Sequence, residues 1–234
     1  MTDELSLAGQ KGGQIPLDKP SSDCNVSIYL QNSMGRPSET SQKRRDLLPV
    51  VARTFAELGY RRTTTADLAR RCGVRENVLY RLWRDKKEMF IASIDYVFEL
   101  SAQTWRALLK RSSSRLSPAR RLLDYAATHL GEFGLHRVIL AGLSETDDPD
   151  IRAALARMYG HFQQFIREQI EAHRISLSKR AGSDGPGASA AAWAIIGLGT
   201  VANIGRELGH LSDRDRRQMM ERVGRLLIDS TDCR

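Results

Sequence analysis

The chain has 234 residues, 41% of them hydrophobic but only 6% aromatic, with a formal net charge of +8. Ala, Leu, Arg and Glu dominate and no β-branched run alternates strictly, which excludes a sheet-based core and points to an all-α fold in one large or two modest domains. Cys24, Cys72 and Cys233 are too far apart for a CxxC pair, which argues against a disulfide framework or thiolate metal site and fits a reducing cytoplasm.

Residues 1–40 are rich in Gly, Ser, Pro, Gln and Asp with no sustained period, so they are expected to be disordered, and no basic-then-apolar signal opens them. Arg36, followed by Lys43, Arg44 and Arg45, forms either a flexible basic arm for a DNA minor groove or an idle solvated one. Ser41 to Leu58 is the first clear helix, with Leu47, Leu48, Val51, Phe55 and Leu58 on one stripe and Gly59 to end it.

Two short helices and a tight turn follow between Thr63 and Lys87. Thr64 can cap the first, with Asp67 in the reciprocal position, and Gly73 can take the positive φ that stops it. Val74, Val78, Leu79 and Leu82 recur at helical spacing for the second, which is the pattern of a helix-turn-helix. Asp85 can cap a long helix from Lys86 to about Leu109, broken by Ser112, Ser113 and Ser114. Pro118 suits the first turn of a helix through Phe133, and His136 to Leu143 is a short one. The Asp147, Asp148 and Asp150 cluster opens a long helix reaching His173.

A polar, glycine-rich loop from Ser178 to Gly187 precedes two last helices, Ala188 to Leu208 and Asp213 to Asp229. The first is small and apolar on nearly all sides. It has about the minimum length for a membrane span, but its Ser, Thr, Asn and Gly content favours a buried helix, so no membrane partner is expected.

Charge is unevenly placed. From Met34 to Phe90 there are fourteen Lys and Arg against seven Asp and Glu, while residues 1–33 carry two against four. The basic excess therefore sits on the helix-turn-helix, the footprint of a phosphate-binding surface.

Within it, the spaced pattern G-Y-x-x-T-T-T-x-x-L-A-x-x-x-G-V-x-x-x-x-L-Y-x-x-W-x-x-K, from Gly59 to Lys86, resembles the tetracycline-repressor (TetR) family of transcriptional regulators over roughly residues 43–90. The resemblance implies a cytoplasmic all-helical homodimer. It implies a DNA-binding domain at 41–87 and an effector-binding and dimerisation domain at 88–234; the apolar terminal pair of helices, at about 188–229, is the natural subunit interface. Its partners would be a palindromic double-stranded operator and a small-molecule effector; the five histidines have no tight ligand spacing with carboxylates, so no metal is expected, and no cofactor.

The family's DNA contacts fall here on Thr65 and Ala66, on Glu76, Asn77, Val78, Tyr80 and Leu82, and on Lys86, with Thr64, Arg75, Arg81 and Arg44 beside them. By their chemistry, Asn77 can read adenine bidentately and Val78 can touch a thymine methyl, while Thr65, Tyr80 and Lys86 suit phosphate. Arg75 and Arg81 can reach phosphate or guanine. Glu76 either accepts from cytosine or offsets the helix dipole, and Tyr80 has a packing role as its alternative.

Effector candidates on the inner faces of the middle helices are Trp105, Tyr125, His129, Phe133, Tyr159, Phe162, Phe165 and Trp193, each with a plain core role as its alternative. They suggest a mostly apolar ligand with a few polar anchors. Two rival readings remain. One is a DNA-bound adaptor whose C-terminal half binds a protein. The other is a helical enzyme, for which the loose dinucleotide fingerprint from Gly197 to Ala202 lacks a preceding strand and no nucleophile has a paired base.

Overall fold

The computed structural model describes residues 38–110, 116–129, 131, 134–178 and 187–229. Arg36, the serine run at 112–114, Phe133 and most of the 178–187 loop lie outside them. By its contacts the chain divides into Met1–Glu39 and Thr40–Arg234, and the architecture below is that of the second unit.

Among the described residues all regular structure is α-helical: α1 (Glu39–Leu58), α2 (Thr65–Cys72), α3 (Glu76–Leu82), α4 (Lys86–Lys110), α5 (Pro118–His129), α6 (His136–Leu143), α7 (Pro149–Ser178), α8 (Ala188–Glu207) and α9 (Asp213–Asp229). Lys43, Arg44 and Arg45 lie inside α1, which corrects the expectation that they belong to a flexible arm. The helix expected to run through Phe133 ends at His129, and Gly131 beyond it adopts φ +74°.

The caps explain where the helices start. Thr64 Oγ1 accepts from Asp67 N at 3.1 Å, and the Asp67 carboxylate accepts from Thr64 N at 3.2 Å. Gly73 closes α2 at φ +64°. Asp85 Oδ1 accepts from Glu88 N at 2.7 Å, and Asp148 Oδ1 from Asp150 N at 2.9 Å. Ser212 caps α9, accepting from Asp215 N at 3.1 Å.

Two apolar clusters hold these helices. The first runs without a break from Val51 and Phe55 through Leu68, Leu79, Trp83 and Phe90 to Val138, Leu155 and Met158. It joins the N-terminal helices to α4, α6 and α7. The second gathers Leu123, Ile170, Ala192, Met220 and Ile228 from α5, α7, α8 and α9. At a rise of about 1.5 Å per residue, the 25-residue α4 is about 37 Å long and the 30-residue α7 about 45 Å. Helix α7 serves both clusters, through Met158 and Ile170.

Close approach of α5 and α9 depends on Gly224, where an added Cβ would run into the Leu123 side chain. Gly224→Val is therefore expected to lower the melting temperature by about 2–12 °C in calorimetry, because overpacking costs about 1–3 kcal/mol. Adding Leu123→Ala to that variant should recover part of the loss, and an unchanged double variant would refute the contact as the cause.

Candidate nucleic-acid interface and internal cavity

Helices α2 and α3 form the reading head, seated on α1 and the start of α4. Leu68, Leu79 and Trp83 are buried beneath it, and Phe55, Tyr60 and Phe90 form an aromatic floor, with Phe55 to Phe90 at 5.0 Å and Tyr60 to Phe90 at 4.7 Å between centroids. Rigid packing here fixes the direction of the outer side chains.

Thr64, Ala66, Arg75, Glu76, Asn77, Tyr80 and Arg81 are all exposed on the head, with Thr65 and Val78 half-buried between the helices. Arg75 is the N-cap of α3 yet makes no side-chain cap bond. Glu76 supplies a different anchor: its Oε2 accepts from Thr65 Oγ1 at 2.7 Å, and Tyr80 OH donates to that same Thr65 oxygen at 3.3 Å. These three side chains tie the first turn of α2 to α3.

Arg44 and Lys86 point inward. Arg44 holds Glu88 Oε1 at 2.9 Å and Leu82 O at 3.2 Å, with its guanidinium 5.3 Å from the Trp83 ring centroid. The Lys86 ammonium donates to Tyr60 O and Thr63 O, both at 3.1 Å, and lies 4.5 Å from the Tyr60 ring centroid. Both side chains brace the head in this conformation.

The head is also tied to the C-terminal helices by ions. Lys87 Nζ lies 2.6 Å from Asp150 and 3.1 Å from Asp148, at the start of α7, and Arg61 lies 2.8 Å from Glu145. Hydrogen bonds to Asp150 and Asp148 hold the Lys87 ammonium above its usual pKa.

Helices α4 to α9 line a partly open cavity of about 270 Å³. Trp105, Tyr125, His129, Tyr159 and Phe162 line it, as the sequence suggests. Phe165 is not among its lining residues; one position before Ile166 on α7, its ring lies 5.1 Å from that of Trp105, tilted by 31°. Trp193 is also outside the lining, 50% exposed and 6.1 Å from Tyr159.

The sequence reading missed Ser101, Thr104, His136, Gln169, Thr200 and Asn203, which supply polar atoms to the wall. Their signal was their period: Ser101 and Thr104 continue the stripe of Val97, and Asn203 that of Ile196 and Gly199. Tyr125 and His129 stack at 4.3 Å with an interplanar angle of 11°. His136 Nε2 contacts Glu207 Oε1 at 3.0 Å, and Arg137 pairs with the other oxygen of the same carboxylate. Burial pushes the His136 pKa below its ordinary value despite Glu207. Among the described residues no group of His, Cys, Asp and Glu is placed to hold a metal.

Helix α8 is buried through Ala191, Ala192, Gly199, Ala202 and Asn203, while Trp193, Val201 and Ile204 leave its other face exposed. Leu208 just beyond it, and Val223 and Leu226 of α9, are exposed apolar side chains as well. Among the described residues α8 is the helix long and apolar enough to cross a membrane.

Residues 48–93 match the model of the bacterial regulatory proteins of the tetR family. Over 144 residues, 57% of this chain and 69% of the relative, the sequence is 28% identical to the nucleoid occlusion factor SlmA of Pasteurella multocida strain Pm70. The fold is similar to that of a TetR-family transcriptional regulator from Cytophaga hutchinsonii, with a TM-score of 0.67 at 16% identity, covering 85% of this chain and 99% of that one. It is also similar to the regulator FadR of Bacillus subtilis in complex with stearoyl-CoA, with a TM-score of 0.60 at 15% identity over 79% and 97% of the two chains.

Proposed function

We propose that the chain, whose residues 48–93 match the model of the bacterial regulatory proteins of the tetR family, is a cytoplasmic homodimeric repressor of that family released from a palindromic operator by a small molecule. The observation that carries this reading is α4. Lys86 and Lys87 open it inside the reading head, and Thr104 and Trp105 line the cavity about 27 Å further along. A ligand that fits the cavity only when α4 is displaced must weaken operator binding by its differential affinity for the two arrangements.

The ion links from Lys87 and Arg61 to the α6–α7 turn give the head a second connection to the same cavity wall, since α7 carries Tyr159 and Phe162. The proposed DNA contacts are Asn77 and Val78 for bases, with Arg75, Arg81, Thr64, Thr65, Ala66 and Tyr80 along the backbone. That a structural relative is known with stearoyl-CoA supports a ligand site in this fold.

Binding to the operator recovered by genomic footprinting should fall steeply with salt, at a slope of about −0.9 per phosphate neutralised. Metabolite fractions that raise the melting temperature should also release that DNA. In the double variant Trp105→Ala/Phe162→Ala, operator affinity should stay within threefold while release is lost. Release unchanged in that variant sinks the reading. Stabilisation by a protein fraction instead of a small-molecule one would turn the reading towards the adaptor.

A further inference from the structure

Asn203 of α8 lines the cavity on the stripe of Ile196 and Gly199 and is only 7% exposed. Its Oδ1 is buried with no hydrogen-bond partner among the described residues, and its Nδ2 brings two N–H donors to the same wall. The neighbouring Arg206 Nη2 gives its proton to Gly131 O at 2.7 Å. Gly131, at φ +74°, keeps this corner open, since a Cβ there would overlap Asn203 Oδ1 and Arg206 Nη2. Buried amides are nearly always paired, and leucine would fill a similar volume with better helix propensity. An asparagine in this place therefore costs the unliganded fold stability, which a ligand with matching polar atoms would restore.

His136 lines the same cavity and adds a second acceptor. Its Nε2 lies 3.0 Å from Oε1 of Glu207, which follows Asn203 by one turn on the same side of α8. The Glu207 carboxylate can only accept, so the His136 proton sits on Nε2. Burial favours the neutral ring, whose lone pair is then on Nδ1, a buried atom again without a partner among the described residues.

We propose that the effector carries a primary carboxamide or a lactam edge, a C=O and an N–H side by side, which Asn203 holds by two antiparallel hydrogen bonds. This rests on the effector-site reading above. The ligand N–H donates to Asn203 Oδ1, and Asn203 Nδ2 donates to the ligand carbonyl. Turned by half a revolution about its last bond, the Asn203 amide still offers one acceptor and one donor, so either orientation makes the same match. The other N–H of a primary carboxamide donates to His136 Nδ1. A carboxylate has no N–H for Oδ1. A trans secondary amide points its N–H away from its carbonyl and cannot make both bonds. The aliphatic wall, with Leu100, Leu140, Ile166 and Ile195, takes the rest of the molecule.

The test titrates the full chain by calorimetry with three eight-carbon probes: octanamide, N-methyloctanamide, and octanoate at pH 8. Octanamide should bind at least tenfold more tightly than either of the others. In Asn203→Leu that advantage should vanish, while the melting temperature of the ligand-free variant stays the same or rises, because no bond within the protein is lost. An amide with a structural role would instead give a variant that melts several degrees lower, and that result overturns the proposal. So does octanoate or N-methyloctanamide binding as well as octanamide, or an octanamide preference that survives in Asn203→Leu. Failure of all three probes to bind also overturns it, and the effector-site reading is then judged by its own release assay with the Trp105→Ala/Phe162→Ala variant.

Discussion

Leu226→Glu is expected to turn the proposed dimer into a monomer at micromolar concentration and to lower affinity for the proposed palindromic operator by at least about a hundredfold. Leu226 of α9 is 70% exposed, Leu208 just beyond α8 65%, and Val201 and Trp193 of α8 56% and 50%. Covering a leucine or isoleucine side chain contributes about 1.5–3 kcal/mol. In an isologous interface each substitution counts twice, and an enclosed carboxylate there adds a desolvation penalty to the lost contact. A second copy of the chain is the occupant that matches a palindromic site, since two-fold protein symmetry mirrors two half-sites.

The loss on DNA follows from tethering. A dimer bound at one half-site presents its second head at an effective concentration in the millimolar range, and a monomer forfeits that gain. Sedimentation measures the first effect and a full-site gel shift the second. A duplex carrying one half-site is the control: its affinity should stay within threefold, since Leu226 is remote from the α2–α3 head. A variant that remains dimeric would remove α9 from the proposed interface.

Helix caps were legible because they are local. Thr64, Asp67, Gly73 and Asp85 act within four residues of themselves, and α6 and α9 begin and end where the sequence placed them. Aromatic cavity residues were legible too, since large side chains on a helical stripe must be buried somewhere. Phe165 shows the limit of that reasoning. It shares the α7 stripe with Phe162 and Ile166, and only the packing of Trp105 decides which of the three the cavity touches.

Long-range polar pairing was not legible. The carbonyls of Tyr60 and Thr63 that engage Lys86 leave no trace in side-chain identity, and Lys87 meets Asp148 61 residues away. Ser101, Thr104 and Thr200 were missed for a related reason. A hydroxyl satisfied by the carbonyl four residues back tolerates an apolar wall, so it does not interrupt the hydrophobic period.

The neighbouring residues Asn77 and Glu76 should give opposite results when replaced. For Asn77→Ala, the loss of a proposed bidentate contact to adenine, about 1–3 kcal/mol, predicts a ten- to hundredfold drop in operator affinity. Non-specific affinity and the salt slope should hardly move, since no charge changes. Glu76→Ala removes a negative charge from the proposed phosphate-facing surface, which should raise non-specific affinity. It also frees Thr65 from its 2.7 Å bond to Glu76, and with it the contact that sets α3 against α2.

Operator affinity in Glu76→Ala is thus expected to change little while its ratio to non-specific affinity falls about tenfold. Titrations of operator and scrambled duplex at several salt concentrations separate the two cases. If Asn77→Ala lost affinity equally for both duplexes, Asn77 would be a backbone contact. If Glu76→Ala kept its full specificity ratio, the Thr65–Glu76–Tyr80 tie would have no part in aiming the head. A fallen ratio would instead assign Glu76 the role of holding α3 against α2 through Thr65, at the cost of a negative charge on the proposed DNA surface.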